Sequence, residues 1–557
     1  MHPHKQSKLL SLTQYIPKGL FAMKYSRIII ASFVATMMLI MAGCGNQSDI
    51  TDDKSGNTIQ DLEKDLHPEY GGTLTLASFV PDTLNPLATK YQPVRDVLMI
   101  IYDGLFKSQS DLKAVPVLAQ SYTVSTSNKI YTIKLKQNVV FHDGSAFDAE
   151  DVVATFKYIK EYPTPYSEMF ENVLNFKAID KHTVSIELIS PQLDFVNNLD
   201  FAILPAGLSK EAFESENPYF VPYGTGKYKY ESQLRNKYMT LVRADNIHDG
   251  KDVYIDSIKV KFLHSTQDMF HAFDAGETDM FITNGSNWGE FTFTSDVKTY
   301  ETGSPRYTYM GINVKNEHLQ DAALRRNINK ILDKKAMVEE VMFSHAIPAE
   351  LPVISTAYYL NKDADKNENK TEGSTINEND VFDSKDIKAP EYDKYNISLY
   401  LLYNKESQEK SRAAQYIKKS LAPYGITIQM QSVDFDEYKK RIAEENYDLY
   451  IGETILHNNM NMNFMFNSAQ KTEQKICNYA DTQFDSLLGN IDMMTPGTEN
   501  ADIIYRNFTE YFAQNMPQIP LFHTNTALFV SNRIKGSINP GMSFFYSDIA
   551  EFFIKYY

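Results

Sequence analysis

The sequence predicts an α/β protein. Short stretches of alternating apolar and polar residues recur from Tyr70 to the C-terminus, and capped helical stretches fall between them. Hydrophobic residues make up 43% and charged residues 23%, as in an ordinary globular chain. The 557 residues are too many for one small module and enough for two or three packed lobes.

Taken in order, Gly71–Ala77 (GGTLTLA) reads as a strand and Pro81–Pro86 as turn chemistry. Val94–Phe106 reads as a helix ending in Tyr102-Asp103-Gly104-Leu105-Phe106. Tyr131–Leu135 alternates strictly and leads into the tight turn Phe141-His142-Asp143-Gly144. Asp148 is placed to cap a helix, with Asp151 three residues on as the capping-box acid. That helix runs from Ala149 to about Lys160 and sets Val152, Val153 and Phe156 on one face. Residues 183–188, 257–263 and 426–433 read as strands. Asp279–Ile282 reads as a strand followed by a polar turn, Thr283–Asn287, and then Trp288. Asp321–Phe343 holds one or two helices, Ser407–Pro423 another, and Tyr447–Tyr450 a strand.

The N-terminus reads as an address. Ile28–Ala42 is an uncharged run of 15 residues, short of the roughly 20 that a membrane-spanning helix needs. Lys24 and Arg27 precede it and small residues follow, which makes residues 1–43 a secretory signal peptide, with Met23 a plausible true start. Met41-Ala42-Gly43-Cys44 resembles the bacterial lipobox, with Met41 in place of the more usual Leu. The resemblance implies that Cys44 is lipidated and heads the mature chain. Residues 44–68 then read as the lipidated cysteine and a disordered polar tether. The formal charge is −16, and the leader holds five basic residues and no acids, so the mature chain is near −21. That balance argues against a nucleic-acid partner, which calls for a Lys/Arg surplus.

Catalytic motifs are missing. There is no Gly-x-Ser-x-Gly elbow, no His-Glu-x-x-His and no Gly-x-Gly-x-x-Gly. Gly224-Thr225-Gly226-Lys227 lacks the hydroxyl residue of a phosphate loop, because Tyr228 stands there, and Val221 occupies the first glycine position. His264 and His271 lie seven apart, but the helix is expected to begin at Ser265, so they read as surface or packing residues. Cys477 reads as a small buried hydrophobe. No enzyme activity, cofactor or metal is expected. Residues 361–391 carry nine acids and five bases around a single aromatic, Phe382, and read as a solvated, disordered insertion.

An ordered set of segments resembles the large extracytoplasmic solute-binding proteins of ABC importers, family 5, the oligopeptide/dipeptide/nickel group. The set begins with Gly71-Gly72-Thr73-Leu74, Thr83-Leu84-Asn85-Pro86 and Ile101–Phe106. Its most specific part runs from Pro116–Ser121 through Tyr131–Leu135 to Val140–Gly144 and Ala149–Val152. Tyr223–Tyr228, Ala275–Asp279, Ile312-Asn313, Leu324–Asn329 and Pro517–Leu521 follow in the family's order. The match covers nearly everything from residue 70 onward.

The resemblance implies a two-lobed periplasmic-binding-protein-like fold of the large type, closing as a hinge on its cleft. Lobe I is expected to be 69–305 plus 525–557, with 90–222 as an extra subdomain, and lobe II to be 306–524. The crossings are expected near Ser304-Pro305-Arg306 and Thr524–Phe529. The implied function is a lipid-anchored receptor on the outer face of the bacterial cytoplasmic membrane. It would be a monomer that captures oligopeptides for a permease and its ATPase subunits on other chains. A peptide-sensing lipoprotein, or the same fold binding nickel or a sugar, is the alternative. Asp82, Thr83, Asn85, Tyr223, Thr283, Asn284, Trp288, Glu453, His457 and Phe522 are the candidates to line the ligand site. Two departures bear on the ligand. The segment after Tyr447–Tyr450 lacks the Asp that peptide binders set against the peptide's amino terminus, leaving Glu453 as the substitute. The acidic insertion stands where the family usually has a short helix before Tyr395.

Overall fold

The computed structural model describes residues 67–557 except Ser110, 209–219, 285–290, 295–296, 355–356, 358–394, Met460, 470–478, 495–497, 542–543 and 556–557. The leader, Cys44, the tether, Trp288, the 361–391 insertion and Cys477 lie outside the described residues.

The chain enters through β1 (Thr73–Phe79), whose seven residues pair in parallel with Ser257–Leu263. Helix α1 is shorter than its apolar run suggests. It spans Gln92–Leu98 and does not continue to Phe106. The reason is crowding of backbone on backbone. A Cβ on Gly226 would stand 2.6 Å from the Ile100 carbonyl oxygen, and one on Gly224 would collide with Ile101. A Cβ on Gly104 would meet Asp200's carbonyl at 2.8 Å. Three chain segments share this space, and a helix through Tyr102 would not fit. The two glycines of Gly224-Thr225-Gly226 serve this close approach.

Phe106 instead opens β2 (Phe106–Ser108), a hairpin with β3 (Ala114–Pro116). Strands β4 (Ala119–Val124), β5 (Ile130–Leu135), β6 (Val173–Asp180) and β7 (Thr183–Leu188) form an antiparallel sheet ordered β4-β5-β7-β6. Helix α2 (Ala149–Glu161) lies between β5 and β6 in the chain and begins with the expected capping box. Asp148 accepts from Glu150 N–H at 2.9 Å, and Asp151 accepts from Asp148 N–H at 2.7 Å. Its buried Phe156 meets the rings of Phe170, Phe176 and Phe201 at 5.1, 5.6 and 5.9 Å.

Three antiparallel strands follow: β8 (Tyr228–Leu234), β9 (Tyr238–Arg243) and β10 (Ser257–Leu263). Helix α3 (Thr266–Asp274) is capped by Ser265, so His264 precedes it and shares no helix face with His271. Strand β11 runs from Met280 through Asn284. Thr283 and Asn284 are therefore strand residues and not the turn that the sequence suggested. They pair with Ala527 and Thr526, partners that local sequence cannot reveal.

The second half opens with the 16-residue strand β12 (Val297–Ile312). Helices α4 (Ala322–Ile331) and α5 (Lys334–Met342), strand β13 (Ala346–Pro348), β14 (Ile397–Asn404), α6 (Gln408–Leu421), β15 (Ile426–Val433), α7 (Phe435–Ala443) and β16 (Leu449–Ile455) follow. β16 extends five residues beyond Tyr450, which puts Glu453 within the strand and not after it. Helices α8 (Thr482–Asp492) and α9 (Glu499–Asn515) lead to β17 (Gln518–Ser531), and the short strands β18 (Ile534–Lys535) and β19 (Phe553–Ile554) close the chain.

The main sheet is ordered β15-β14-β16-β12-β17-β11-β1-β10-β9-β8, with β13 paired to β17. Two large apolar cores flank it, besides a small third cluster around Phe273, Phe281 and Phe529. One is built from residues 74–282 with 528–554, the other chiefly from 307–522. This is a two-lobed α/β fold, and among the described residues only the strands β12 and β17 run through both lobes. Within β12, Val297–Gly303 pairs with Ser531–Asn525, while Arg306–Ile312 pairs with Ile455–Leu449. A register break separates Gly303 from Tyr307. Among the described residues, no helix is long and apolar enough to cross a membrane.

Candidate functional site

The register break separates the part of β12 packed against the first core from the part packed in the second, and proline explains part of it. Pro305 has no N–H to give a ladder. Its carbonyl instead accepts from Leu456 N–H at 2.8 Å. Ser304 Oγ donates to the Thr524 carbonyl at 2.6 Å and accepts from Arg306 N–H at 3.2 Å, which ties β12 to β17 at the break. Beside them, Asn525 Nδ2 donates to Glu301 Oε1 at 2.5 Å, and Asn525 N–H donates to the His345 carbonyl at 3.2 Å. Side chains thus fill the gap that the bulge leaves in the backbone ladder.

On the lobe II side, Arg306 Nη1 stands 2.6 Å from Glu453 Oε1. The Lys410 ammonium, in the first turn of α6, lies 5.7 Å from the centre of the Tyr438 ring. Burial lowers the Lys410 pKa, opposed by the Glu453 charge and reinforced by Arg306. β14 and β16 are parallel, and Glu453 sits toward the carboxyl end of β16. The carboxyl ends of parallel strands are where open α/β sheets bind ligands. The opposite face of the same strands is aromatic and buried. Tyr307 stacks on Tyr309 at 5.4 Å, and Tyr309 meets Tyr450 edge-on at 5.9 Å. Gly311 and Gly452 leave room for the Tyr450 and Tyr309 rings, where a Cβ would collide.

The ten sequence candidates fall into several places. Asp82, Thr83 and Asn85 fold on themselves after β1. Asp82 accepts from Thr83 N–H and Lys90 N–H at 3.0 Å and from Thr89 Oγ at 2.5 Å. Thr83 Oγ accepts from Asn85 N–H at 3.1 Å, and Asn85 Oδ1 accepts from Leu87 N–H at 3.0 Å. Thr83 and Asn85 are buried, and only Asp82 is exposed. Tyr223 is half-buried against the lobe I core, which raises its pKa. Thr283 is buried and Asn284 exposed at the end of β11. Trp288 lies outside the described residues.

Glu453 is engaged by Arg306 as described. His457 stacks on Phe464 at 4.5 Å, and burial lowers its pKa to about 4, so its imidazole is neutral at pH 7. Phe522 is 1% exposed, within the lobe II core. The structure thus gathers Thr283, Asn284, Glu453 and Phe522 onto strands of one sheet and keeps the Asp82–Asn85 turn as its own small network. Sequence reasoning did not single out Lys410, Glu301, His345 or Asn525. Their spacing carries no motif: Glu301, His345 and Asn525 meet across distant chain segments, and Lys410 reaches the Glu453 charge from α6. Among the described residues, no group of three or more His, Cys, Asp or Glu is arranged to hold a metal ion.

The model of the bacterial extracellular solute-binding proteins, family 5 (middle region), matches residues 113–475. The oligopeptide-binding protein AppA of Bacillus subtilis is 22% identical over 491 residues, covering 84% of this chain and 89% of AppA. The glutathione-binding protein GsiB of Pectobacterium atrosepticum is 24% identical over 385 residues, 67% of this chain and 70% of GsiB. Among solved structures, AppA with a nonapeptide superposes with a TM-score of 0.62 at 21% identity, over 88% of this chain and 100% of that one. NikZ from Campylobacter jejuni, in complex with Ni(L-His), gives 0.61 at 20% identity, over 87% and 99%. One fold therefore holds both a nonapeptide and a nickel complex, and at these identities the likeness speaks for the fold alone.

Proposed function

We propose that this chain, which belongs to the bacterial extracellular solute-binding proteins of family 5, captures oligopeptides by hinge closure and delivers them to an ABC permease. Members of this family are binding receptors and not enzymes. The observation that carries the proposal is the pair of long strands shared by two otherwise separate apolar cores. Two rigid bodies joined by two adjacent strands can open and close while each keeps its own core. Ligand between them would favour the closed form by the contacts that only that form completes. Peptide is favoured over other cargo because a relative that covers 84% of this chain is named as an oligopeptide binder.

In this reading lobe I is 69–305 with 525–557 and lobe II is 306–524. The ligand site draws on Thr283, Asn284, Trp288, Glu453 and His457, with Arg306 and Lys410 added. Lipidation at Cys44 would tether the receptor outside the membrane as a monomer.

The deciding experiment is native mass spectrometry of the purified protein with whatever it carries from the cell. Co-purified peptides are expected. A bound metal complex or glycan would overturn the peptide assignment. Transport is tested separately: peptide uptake that survives deletion of the gene would favour a sensor.

A further inference from the structure

A cavity of about 170 Å³ opens between α1, the stretch around Tyr102–Phe106, the loop at His248–Lys251 and the segment before β19. Its lining residues fall between 96 and 251 and between 544 and 551, and none comes from 307–522. It is therefore apart from the strands that carry Thr283, Asn284 and Glu453. Most of the charges around it are paired. Lys107 meets Asp548 at 2.9 Å, Lys227 meets Asp249 at 2.8 Å, and Lys251 meets Glu551 at 3.3 Å. Asp96 lines the same cavity and is 2% exposed, yet it accepts only from the neutral Gln92 amide, at 2.8 Å. Among the described residues no Lys, Arg or His forms an ion pair with it. A buried carboxylate without a cation is costly, and burial pushes the Asp96 pKa up to about 7.

Two further polar atoms on the wall are left open. Tyr102 is 1% exposed, and its Oη finds no hydrogen-bond partner among the described residues. His248 Nε2 bonds Asp103 Oδ2 at 2.9 Å, while its buried Nδ1 has no partner among them. In the neutral ring that leaves Nδ1 as an acceptor. Phe106, Phe544 and Tyr546 add aromatic surface. A primary ammonium matches these surroundings. It brings three N–H donors and one positive charge, and aromatic faces attract it. A bare metal ion matches them less well, since among the described residues no group of three or more His, Cys, Asp or Glu is arranged to hold one. We propose that this cavity is a second binding site, for a small primary ammonium, with Asp96 as counter-ion and Tyr102 and His248 as further acceptors. At about 10–15 Å³ for each water, the space takes roughly ten waters or an ammonium with a short alkyl chain. The site does not depend on what the interlobe cleft binds.

The test is thermal unfolding and calorimetry of the purified full chain with ethylammonium chloride, against sodium chloride at the same ionic strength. Ethylammonium should raise the melting temperature saturably, with a dissociation constant on the order of 1 mM for so small a ligand. Sodium should not. Asp96→Asn keeps the shape of the side chain and should weaken ethylammonium binding tenfold or more. It should leave the affinity for a casein-hydrolysate peptide pool as in the parent. Tyr102→Phe removes one acceptor and should weaken ethylammonium binding about threefold or more. No saturable shift beyond that of sodium chloride overturns the proposal. Parent-like ethylammonium affinity in Asp96→Asn overturns it too, and where that variant does not fold, the same result in Tyr102→Phe does so. A response that survives Asp96→Asn and is lost in Glu453→Gln would place the ammonium in the interlobe cleft, which also overturns it.

Discussion

Arg306 and Glu453 are joined across two neighbouring strands, with Nη1 of the first 2.6 Å from Oε1 of the second. They are diagonal neighbours in the ladder, since Arg306 faces Ile455 and Glu453 faces Thr308. The pair ties β12 to β16 at the start of their ladder. It also occupies the one carboxylate in this segment that could receive a ligand's amine.

Replacing Glu453 with glutamine separates these two roles. Both side chains are partly exposed, so the pair itself should contribute no more than about 1 kcal/mol to stability. If a peptide amino terminus displaces Arg306 on binding, affinity for the peptide pool should fall tenfold or more by calorimetry. A small drop in melting temperature with unchanged affinity would assign Glu453 to the hinge alone.

Asp492 should make the protein less stable at neutral pH than it would otherwise be. It ends α8, accepts from Asn463 Nδ2 at 2.7 Å, and burial pushes its pKa up to about 7. The folded state thus holds a proton that the unfolded chain releases near pH 4. Stability is lost as pH rises from about 4 to 7. Asp492→Asn should raise stability at pH 8 by up to roughly 4 kcal/mol and leave it unchanged at pH 4. Equal melting shifts at both pH values would reject the assignment.

His523 acts in the opposite direction. It is buried beside Tyr307, with ring centres 5.2 Å apart, and burial lowers its pKa to about 4. The unfolded chain takes up a proton near pH 6.5 that the folded one refuses, so stability falls as pH drops from 6.5 toward 4. His457 shares the same value and adds to the effect. Melting curves of the His523→Gln and His457→Gln double variant should show a shallower acid limb than the parent. An identical slope would mean that other groups drive acid unfolding.

Two glycines should respond very differently to alanine. At Gly226 a Cβ would meet the Ile100 carbonyl at 2.6 Å, so the variant should lose at least about 3 kcal/mol or fail to fold. Gly144 has φ +89° but nothing within 4 Å, so Gly144→Ala should cost only about 1 kcal/mol of backbone strain. Urea denaturation of both reads the contrast directly.

Local signals in the sequence were reliable wherever one short segment decides its own structure. The Asp148–Asp151 capping box, the helix starts at Ser265 and Ser407 and the strand at 426–433 all follow from residues a few positions apart. The reading overran at Val94–Phe106 because the run stays apolar past Leu98, while the room is limited by Gly224 and Gly226 more than a hundred residues away. It stopped short at β11 and β16 for the converse reason. Thr283, Asn284, Glu453 and Thr454 look like turn residues alone, and become strand only through Ala527, Thr526, Thr308 and Tyr307. The site suffered most, because Arg306 and Glu453 meet through strand pairing, and Lys410 through the packing of α6, that no local pattern encodes. The Asp82–Asn85 turn was legible as a turn, and its side chains are spent holding it.

The pairing of β11 with β17 also dictates an order of assembly. Thr283 cannot find Ala527 until all of lobe II has been synthesised, so the earlier lobe waits for the later one with a sheet edge bare. Contacts this distant in sequence slow folding. The nascent first half would therefore need protection from aggregation or protease for most of the time that the chain takes to emerge.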